Sequence, residues 1–441
     1  MKSFIRSKLA KHRVFLGNVS VVMLANVVKI VLGVVLIPVY VRYVSPADLG
    51  KFDLIMSFVP ILNQIISLGM TNSIGKFYLQ DHDTAYLGYV RDALLRHTLW
   101  VAGGLFAAYW LFYPLTHPFL GPFTALLALS LLVLENLTFV QFKLYSLHED
   151  FKKNSVVSVT KDLLRYTSLI LLVMFMEDKL TALFLGNLVS WLYLYLQSRK
   201  DSRPYLADAP SLSAERIEEL KKYSYPLLFL GLSGFFYLSL DRIMVGMLAD
   251  SIDQVGYLGI AQRFTTILSV ALGSIGTVLG IRMFKTPDME RLRTIQERYL
   301  LFLAAIVGVT LLCYLFFKEE VIRYLLTQRY EAAFPIGIFL LMTLYWNKSR
   351  ENLEYYFLVE GTTALLTGIF VTFTLLNMVL NIFFILRYEA LGAVLATNIT
   401  FFLHTVVLLK IVRSKGHRIR FLPFWIGAVS NLVAAAYLYL Q

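Results

Sequence analysis

The feature that most constrains this chain is its series of long, mostly apolar stretches, such as Val14–Tyr40 and Leu94–Tyr113. About 20 apolar residues form a helix long enough to cross a bilayer. Hydrophobic residues make up 58% of the 441 positions and charged residues only 16%, against roughly 25% in soluble domains. Because lipid offers the backbone no hydrogen-bond partners, and the alternation typical of barrel strands is missing, the sequence predicts an all-α, polytopic membrane protein.

The hydropathy pattern predicts twelve core transmembrane helices and one further apolar segment. The twelve predicted ranges are 14–41, 49–72, 90–113, 122–146, 155–176, 179–198, 223–248, 255–284, 297–317, 332–358, 363–386 and 391–412. The further segment covers residues 421–440 and is read as a thirteenth helix, a hairpin or part of a final pair. The total of membrane segments therefore stays open between twelve and fourteen.

The placement of lysine and arginine predicts the orientation, because cytoplasmic loops are enriched in both. With the N-terminus in the cytoplasm, the predicted cytoplasmic segments hold 29 of the 41 Lys and Arg residues, and the opposite loops hold six. The basic start of the chain leads into an apolar stretch that is too long for a signal peptide and lacks a small-residue cleavage site. We therefore expect a retained first helix and a cytoplasmic N-terminus.

Composition excludes several other classes of function. The single cysteine, Cys313, lies in an apolar run and excludes an intrachain disulfide framework. The seven histidines are scattered without the spacing of metal ligands on a helix, so we expect no metal site and no cofactor. The net charge of +12 is concentrated in short loops and reflects topology, so no nucleic-acid partner is expected.

One long polar stretch, 199–222, separates two sets of six predicted helices and contains a charged helical piece, Ala214–Lys222. A weak internal repeat supports two equivalent lobes, because the turn Ser45–Phe52 resembles the turn Ser251–Leu258. Both turns place a turn-forming residue before a glycine that opens the next helix. Six helices in each lobe give parallel repeats. The predicted domains are an N-terminal lobe (1–198), a cytoplasmic linker (199–222), a C-terminal lobe (223–412) and an extra membrane helix (413–441).

Short motifs occur in order along the chain at Pro38–Phe52, Ser67–Ser73, Asp241–Gly246, Val255–Tyr257, Ala261–Phe264, Asn377–Asn381 and Leu391–Ala393. Together they resemble the Wzx-type polysaccharide transporter family, over about residues 10–412. That family belongs to the MOP superfamily, with the MATE exporters and the MurJ-type lipid II flippases. The resemblance implies two six-helix lobes in a V-shape around a cationic cavity.

The same resemblance implies a function. Wzx-type proteins transfer a polyprenyl-pyrophosphate-linked oligosaccharide, a precursor of cell-surface polysaccharide, from the inner to the outer leaflet. It further implies a bacterial or archaeal plasma (inner) membrane, with a glycosyltransferase and a polymerase of the same pathway as partners. The identity of the glycan and the energy source do not follow from it.

Charged side chains inside the predicted spans are costly in lipid, so we expect them to face the protein interior or a watery cavity. Lys29 lies in the middle of the first helix and shares a helix face with Asn26. A lysine offers a compact charge suited to phosphate, so both residues are assigned to a substrate-binding cavity. Lys161 and Arg165 share one face of the fifth helix and are assigned to the same cavity. Pairing with a carboxylate is the alternative for each cation.

Two further cations, Arg242 and Arg263, complete the predicted cationic cavity. Pairing is again the alternative, with Asp241 as one candidate partner of Arg263. Asp241 and Glu135 are predicted either to couple transport to a proton or cation or to form structural ion pairs. Asp53 lies at the outer end of the second helix and is interpreted as part of a solvated rim.

Three functions compete for this architecture. The excess of cations over carboxylates inside the spans favours an anionic, lipid-linked glycan, and hence a flippase working by alternating access. A MATE-like, cation-coupled exporter of drugs or metabolites requires carboxylates in the cavity of the first lobe, particularly in the first helix, which carries Lys29 and no acidic residue. A membrane enzyme such as a glycan polymerase requires converging catalytic groups, whereas the predicted outer loops are short. We therefore predict a transporter and not an enzyme.

Overall fold

The computed structural model describes residues 24–33, 36–81, 84–148, 150–206, 211–284, 289–360 and 362–415. This part of the chain consists of helices joined by short turns and contains no strand, which confirms the predicted all-α fold. The predicted apolar segment at 421–440 and the beginning of the first predicted helix lie outside the described residues.

The helices are numbered in chain order. Their bounds are α1 Leu24–Tyr43, α2 Pro46–Ser67, α3 Met70–Asp81, α4 Thr84–Leu111, α5 Tyr113–Thr116, α6 Pro122–Leu147, α7 Phe151–Phe175, α8 Lys179–Leu206, α9 Ala214–Leu248, α10 Asp253–Phe284, α11 Met289–Phe316, α12 Lys318–Glu320, α13 Ala333–Val359 and α14 Thr363–Ser414. A π-helical turn at Val321–Leu326 and a 3-10 turn at Gln328–Tyr330 join α12 to α13.

The described parts of the twelve predicted spans lie largely on helices, and the last two spans share α14, which turns sharply at Glu389 (φ 52°). Within the described ranges, seven helices are long and apolar enough to cross a membrane, by length and composition. The polytopic character of the chain is therefore confirmed, whereas the number of crossings stays a prediction.

The second predicted helix is not continuous. Helix α2 ends at Ser67 and α3 begins at Met70, because Leu68 and Gly69 adopt positive φ angles of 48° and 77°. A side chain at Gly69 would overlap the carbonyl oxygen of Ser224 on α9. One helix over 49–72 was therefore a wrong prediction, since the close approach of α9 at this point is not visible in the local sequence.

The predicted polar linker, 199–222, is largely helical. Helix α8 continues to Leu206 and α9 already begins at Ala214. The charged helical piece predicted at Ala214–Lys222 is confirmed as the first turns of α9. The apolar pattern located the part of each helix that is suited to lipid. It did not locate the polar extensions, because a helix can continue beyond its apolar residues into water.

One compact unit contains the described residues up to Leu36 together with Ile55–Phe235. Apolar side chains of α2, α3, α4 and α6 form its core. Polar side chains pair between its helices, as in the 2.6 Å hydrogen bond between the hydroxyls of Thr124 and Thr181. Such hydrogen bonds hold helices together where lipid supplies no hydrophobic driving force.

The other compact unit contains Ile37–Leu54 and the described residues from Phe236 onwards. Its core is formed by α10, α11, α13 and α14 around the fully buried ring of Trp346. The end of α1 and the start of α2 therefore belong to this unit, although the rest of both helices belongs to the first.

Two glycines pack the start of α2 against the start of α10. A side chain at Gly50 would overlap the carbonyl oxygen of Ile252, and one at Gly256 would overlap that of Pro46. These contacts are reciprocal, and the four residues are those of the two turns that resemble each other in the sequence. The weak internal repeat thus marks a place where the chain requires glycine twice for one close helix crossing.

Candidate functional site

A basic cluster lies between α1 and α7 in the first unit; it comprises Lys29, Ser158, Lys161, Asp162 and Arg165. The Lys29 ammonium donates a hydrogen bond of 2.5 Å to the Ser158 hydroxyl and lies 4.0 Å from Asp162 Oδ2. Ser158 and Asp162 are four residues apart, so they share the face of α7 that meets Lys29. The lysine charge is thereby held beside a carboxylate of another helix.

Arg165 approaches the same carboxylate from the other side. Its Nη2 atom lies 3.5 Å from Asp162 Oδ1 and donates a hydrogen bond of 2.8 Å to the Tyr166 hydroxyl. The side chains of Lys29 and Arg165 are 29% and 31% exposed, against 13% for Asp162. The two cations are therefore reachable, while the carboxylate between them is mostly covered.

Lys161 adds a third cation. Its ammonium lies 4.3 Å from the centre of the Trp191 ring on α8, a cation–π contact, and interacts electrostatically with Asp162 and, more weakly, with Glu135 on α6. Glu135 interacts with the side chain of Asn63 on α2, and the Asn63 side-chain oxygen accepts a hydrogen bond of 2.8 Å from Asn136. With Glu135 included, the site combines three cations and two carboxylates and is net basic.

Asn26 lies one helical turn before Lys29 on α1 and is partly exposed. All four residues assigned to the first-lobe cavity, Asn26, Lys29, Lys161 and Arg165, thus belong to one unit. Their role in binding substrate stays a prediction.

Arg263 of the second unit forms a bidentate salt bridge with Asp53. Its Nη1 and Nη2 atoms each lie 2.8 Å from a different carboxylate oxygen of Asp53, whose side chain is 4% exposed. The guanidinium also stacks over the Tyr40 ring at 4.9 Å. Gly259 leaves the space for this pair, because a side chain there would overlap the Asp53 carboxylate.

Sequence reasoning missed Asp53, which it interpreted as part of a solvated rim. The residue is buried, and its partner lies 210 positions away along the chain. One signal in the sequence could have identified it. A carboxylate in an apolar helix is costly in lipid, so Asp53 could have been expected to pair with a cation of another helix. Arg242 lies nearby on α9 and donates a short hydrogen bond to the Gln262 side-chain oxygen.

Asp241 lies in a polar cluster between α9 and the two arms of α14. It accepts hydrogen bonds from Asn381 (2.9 Å) and from the Thr397 hydroxyl (2.8 Å). Asn377 donates to Thr397 at 3.1 Å and accepts from Asn381 at 3.0 Å. The described hydrogen-bond donors to Asp241 are therefore a neutral amide and a hydroxyl, Arg242 interacts with it electrostatically, and Arg263 pairs with another carboxylate.

Solved transporter structures share this fold. The lipid II flippase MurJ in an inward closed conformation matches with a TM-score of 0.70 and 16% identity, over 95% of this chain and 92% of that chain. An inward-facing multidrug resistance MATE transporter of the MOP superfamily matches with a TM-score of 0.62 and 14% identity, over 88% and 94%. A MOP superfamily transporter from Pyrococcus furiosus matches with a TM-score of 0.52 and 15% identity, over 90% and 95%.

These likenesses show that the chain has the fold of these transporter structures, and its apolar helices make it a multi-pass membrane protein. A search of curated protein sequences finds no match. The family model described as polysaccharide biosynthesis protein matches residues 15–280. Since this is more than half of the chain, the protein belongs to that family, which confirms the predicted Wzx-type membership. The solved structures reported above that share this fold are those of a flippase and of transporters.

Proposed function

We propose that this protein moves a polyprenyl-pyrophosphate-linked oligosaccharide from the inner to the outer leaflet by alternating access. The observation that carries the proposal is the pair of partly exposed cations, Lys29 and Arg165, on either side of Asp162. A diphosphate is a compact anion with several acceptor oxygens, and ammonium and guanidinium groups are its usual protein ligands. The structural likeness to a lipid II flippase supports a lipid-linked substrate.

The alternative is export of a cationic drug or metabolite, as in MATE-like transporters. Such a substrate requires a carboxylate that is not already neutralised. In the first unit, Asp162 lies between two cations and Glu135 interacts with Lys161. The net basic character of this site therefore favours an anionic substrate.

We assign coupling of transport to a proton or a cation to Asp241 in preference to Glu135. The described hydrogen-bond partners of Asp241 are neutral side chains, and Asn377 and Thr397 add further oxygen atoms to the cluster. A carboxylate inside a membrane-spanning helix is a default candidate for an ion or proton site. Both carboxylates interact electrostatically with a cation, Glu135 with Lys161 and Asp241 with Arg242, so the preference rests on the hydrogen bonds that Asp241 accepts from neutral side chains.

The setting of this function is proposed on the same grounds as the substrate. The bias of Lys and Arg supports a cytoplasmic N-terminus in a bacterial or archaeal inner membrane. Family membership supports a glycosyltransferase and a polymerase of the same pathway as partners.

The test is a leaflet-accessibility assay in proteoliposomes that contain a fluorescent polyprenyl-pyrophosphate oligosaccharide. We expect the wild type to expose headgroups in the opposite leaflet, and Lys29→Ala to reduce the rate at least tenfold. Lys29→Arg keeps the charge and is expected to retain a larger share of the rate. Lys152→Ala is the matched control, since Lys152 is an exposed lysine on α7 of the same unit.

The outcomes separate function from site. Absence of movement by a folded wild-type protein, with and without ion gradients, would contradict the proposed substrate. Movement that Lys29→Ala leaves unchanged would keep the function and remove Lys29 from the site. Transport that depends on a sodium or proton gradient, and that Asp241→Asn uncouples from it, is the expected result for the coupling site.

A further inference from the structure

The basic cluster contains a carboxylate, Asp162, between two of its cations. Asp162 places one carboxylate oxygen toward Lys29 and the other toward Arg165, at 4.0 and 3.5 Å. Both distances exceed the about 2.7–2.9 Å of a charge-assisted hydrogen bond. The two cations form their short hydrogen bonds with the neutral hydroxyls of Ser158 and Tyr166 instead, at 2.5 and 2.8 Å. Asp162 therefore neutralises the cations without being tightly bound to either.

The other carboxylate of the region is held differently. Glu135 interacts with Asn63 and with Lys161, and the Lys161 ammonium lies over the Trp191 ring. Its contacts tie α6 to α2 and α7. Asp162, in contrast, lies between the two cations whose side chains are almost one-third exposed, where an incoming anion would compete with it directly.

We propose that Asp162 is a release residue: an internal counter-anion that occupies Lys29 and Arg165 when the site is empty and limits how tightly a diphosphate binds. The inference rests on the proposed function and deepens it. A carrier must release its substrate in every transport cycle. Tighter binding of the substrate lowers the half-saturating concentration but does not raise the turnover rate. A carboxylate between the binding cations returns them to a neutralised state once the substrate leaves.

The charges give the expected direction. Neutralising Asp162 removes one of two negative charges from a site with three positive ones. Charges a few ångströms apart in partly exposed surroundings interact strongly enough to change an affinity by about tenfold or more. Asp162→Asn keeps the size of the side chain, so pyrophosphate should bind about tenfold more tightly to this variant than to the wild type.

The primary measurement is calorimetric titration of the purified full-length protein with inorganic pyrophosphate. Asp162→Glu keeps the charge and should stay within about threefold of the wild type. Asp92→Asn is the matched control, because Asp92 pairs with Arg91 at an exposed site outside the cluster. The tightening should vanish when Lys29→Met and Arg165→Met are added to Asp162→Asn. An unchanged or weaker affinity of folded Asp162→Asn for pyrophosphate would overturn the inference.

Transport kinetics give a second readout that a merely structural role would not produce. In proteoliposomes, Asp162→Asn should lower both the half-saturating concentration of the lipid-linked substrate and the maximal rate, each several-fold, because release becomes slow. A structural defect would lower the rate and raise the half-saturating concentration, which would contradict the inference.

If Asp162→Asn does not fold, Asp162→Ser takes its place in the same titration. If neither neutral variant folds, the same titration of Ser158→Ala tests the inference. This substitution removes the hydroxyl partner of Lys29 and leaves Asp162 as its described partner, so Asp162 should compete more strongly with pyrophosphate. Pyrophosphate should then bind several-fold more weakly, and an unchanged affinity would refute the inference.

The two proposals fail separately. Tighter pyrophosphate binding by Asp162→Asn, in a protein that moves no diphosphate-linked lipid, would support the counter-anion and reject the proposed substrate. Movement of that lipid, with no tightening in Asp162→Asn, would support the substrate and reject the counter-anion.

Discussion

Replacing Asp53 by asparagine should destabilise the protein strongly, although Asp53 lies outside the predicted cationic site. The pair with Arg263 has two hydrogen bonds of 2.8 Å, and the two side chains are 4% and 24% exposed. Removing one partner of a fully buried pair costs about 3–5 kcal/mol, and an exposed pair contributes about 0–1 kcal/mol. Because Arg263 keeps partial access to solvent, we expect a loss of about 2–3 kcal/mol.

A double-mutant cycle separates the pair from its surroundings. The free energy of unfolding is measured for the wild type, Asp53→Asn, Arg263→Gln and the double variant, by reversible unfolding in mixed detergent micelles followed by tryptophan fluorescence. The double variant should lose less than the sum of the two single losses, with a coupling energy of about 2 kcal/mol. Asp92→Asn, which breaks an exposed ion pair, is the control and should lose less than about 1 kcal/mol.

Additive losses would refute this reasoning. If the two single variants add to within about 0.5 kcal/mol in the double variant, the pair contributes no coupling energy. A loss for Asp92→Asn as large as that for Asp53→Asn would show that burial does not decide the effect.

Three further substitutions follow from the packing. Gly259→Ala should destabilise the protein by about 1–3 kcal/mol, because its side chain would overlap the Asp53 carboxylate. Gly69→Ala should cost at least about 2 kcal/mol, since Gly69 combines a φ of 77° with a close backbone contact. Gly103→Ala is the control for both glycine variants. Gly103 has open space around it, so this substitution should be neutral or stabilising. Lys179→Met should cost about 1–2 kcal/mol, because the Lys179 ammonium donates to two carbonyl oxygens at the end of α7, at 2.9 and 2.6 Å. Thermal unfolding of each purified variant tests these values, and a melting temperature equal to that of the wild type would contradict the prediction for that residue.

The helices were predictable from the sequence because their signal is local. A mostly apolar stretch such as 122–146 coincides closely with α6, Pro122–Leu147. Breaks and extensions were less predictable. The turn at Leu68 and Gly69 depends on the contact of Gly69 with α9, and the polar extension of α8 to Leu206 carries no apolar signal. In each case the deciding interaction lies outside the stretch that shows the pattern.

The candidate site was only partly predictable. The spacing of Lys161 and Arg165 placed them on one face of a helix, and the position of Lys29 in the middle of a predicted span identified it as a cavity-lining cation. That Lys29 meets Ser158, 129 positions away, and shares Asp162 with Arg165 was not visible in the sequence.

The sequence by itself determined that this chain is a helical, polytopic membrane protein of the polysaccharide transporter family, with more cations than carboxylates inside its spans. These properties follow from composition, hydropathy and short motifs, which are read one segment at a time. Only the tertiary structure decided that Arg263 pairs with Asp53, that Asp162 lies between two cations, and that Asp241 accepts hydrogen bonds from Asn381 and Thr397. The physical reason is that the directions of successive side chains differ by about 100° around the helix axis. Which helix a charged side chain faces therefore depends on how its helix is rotated in the packed structure.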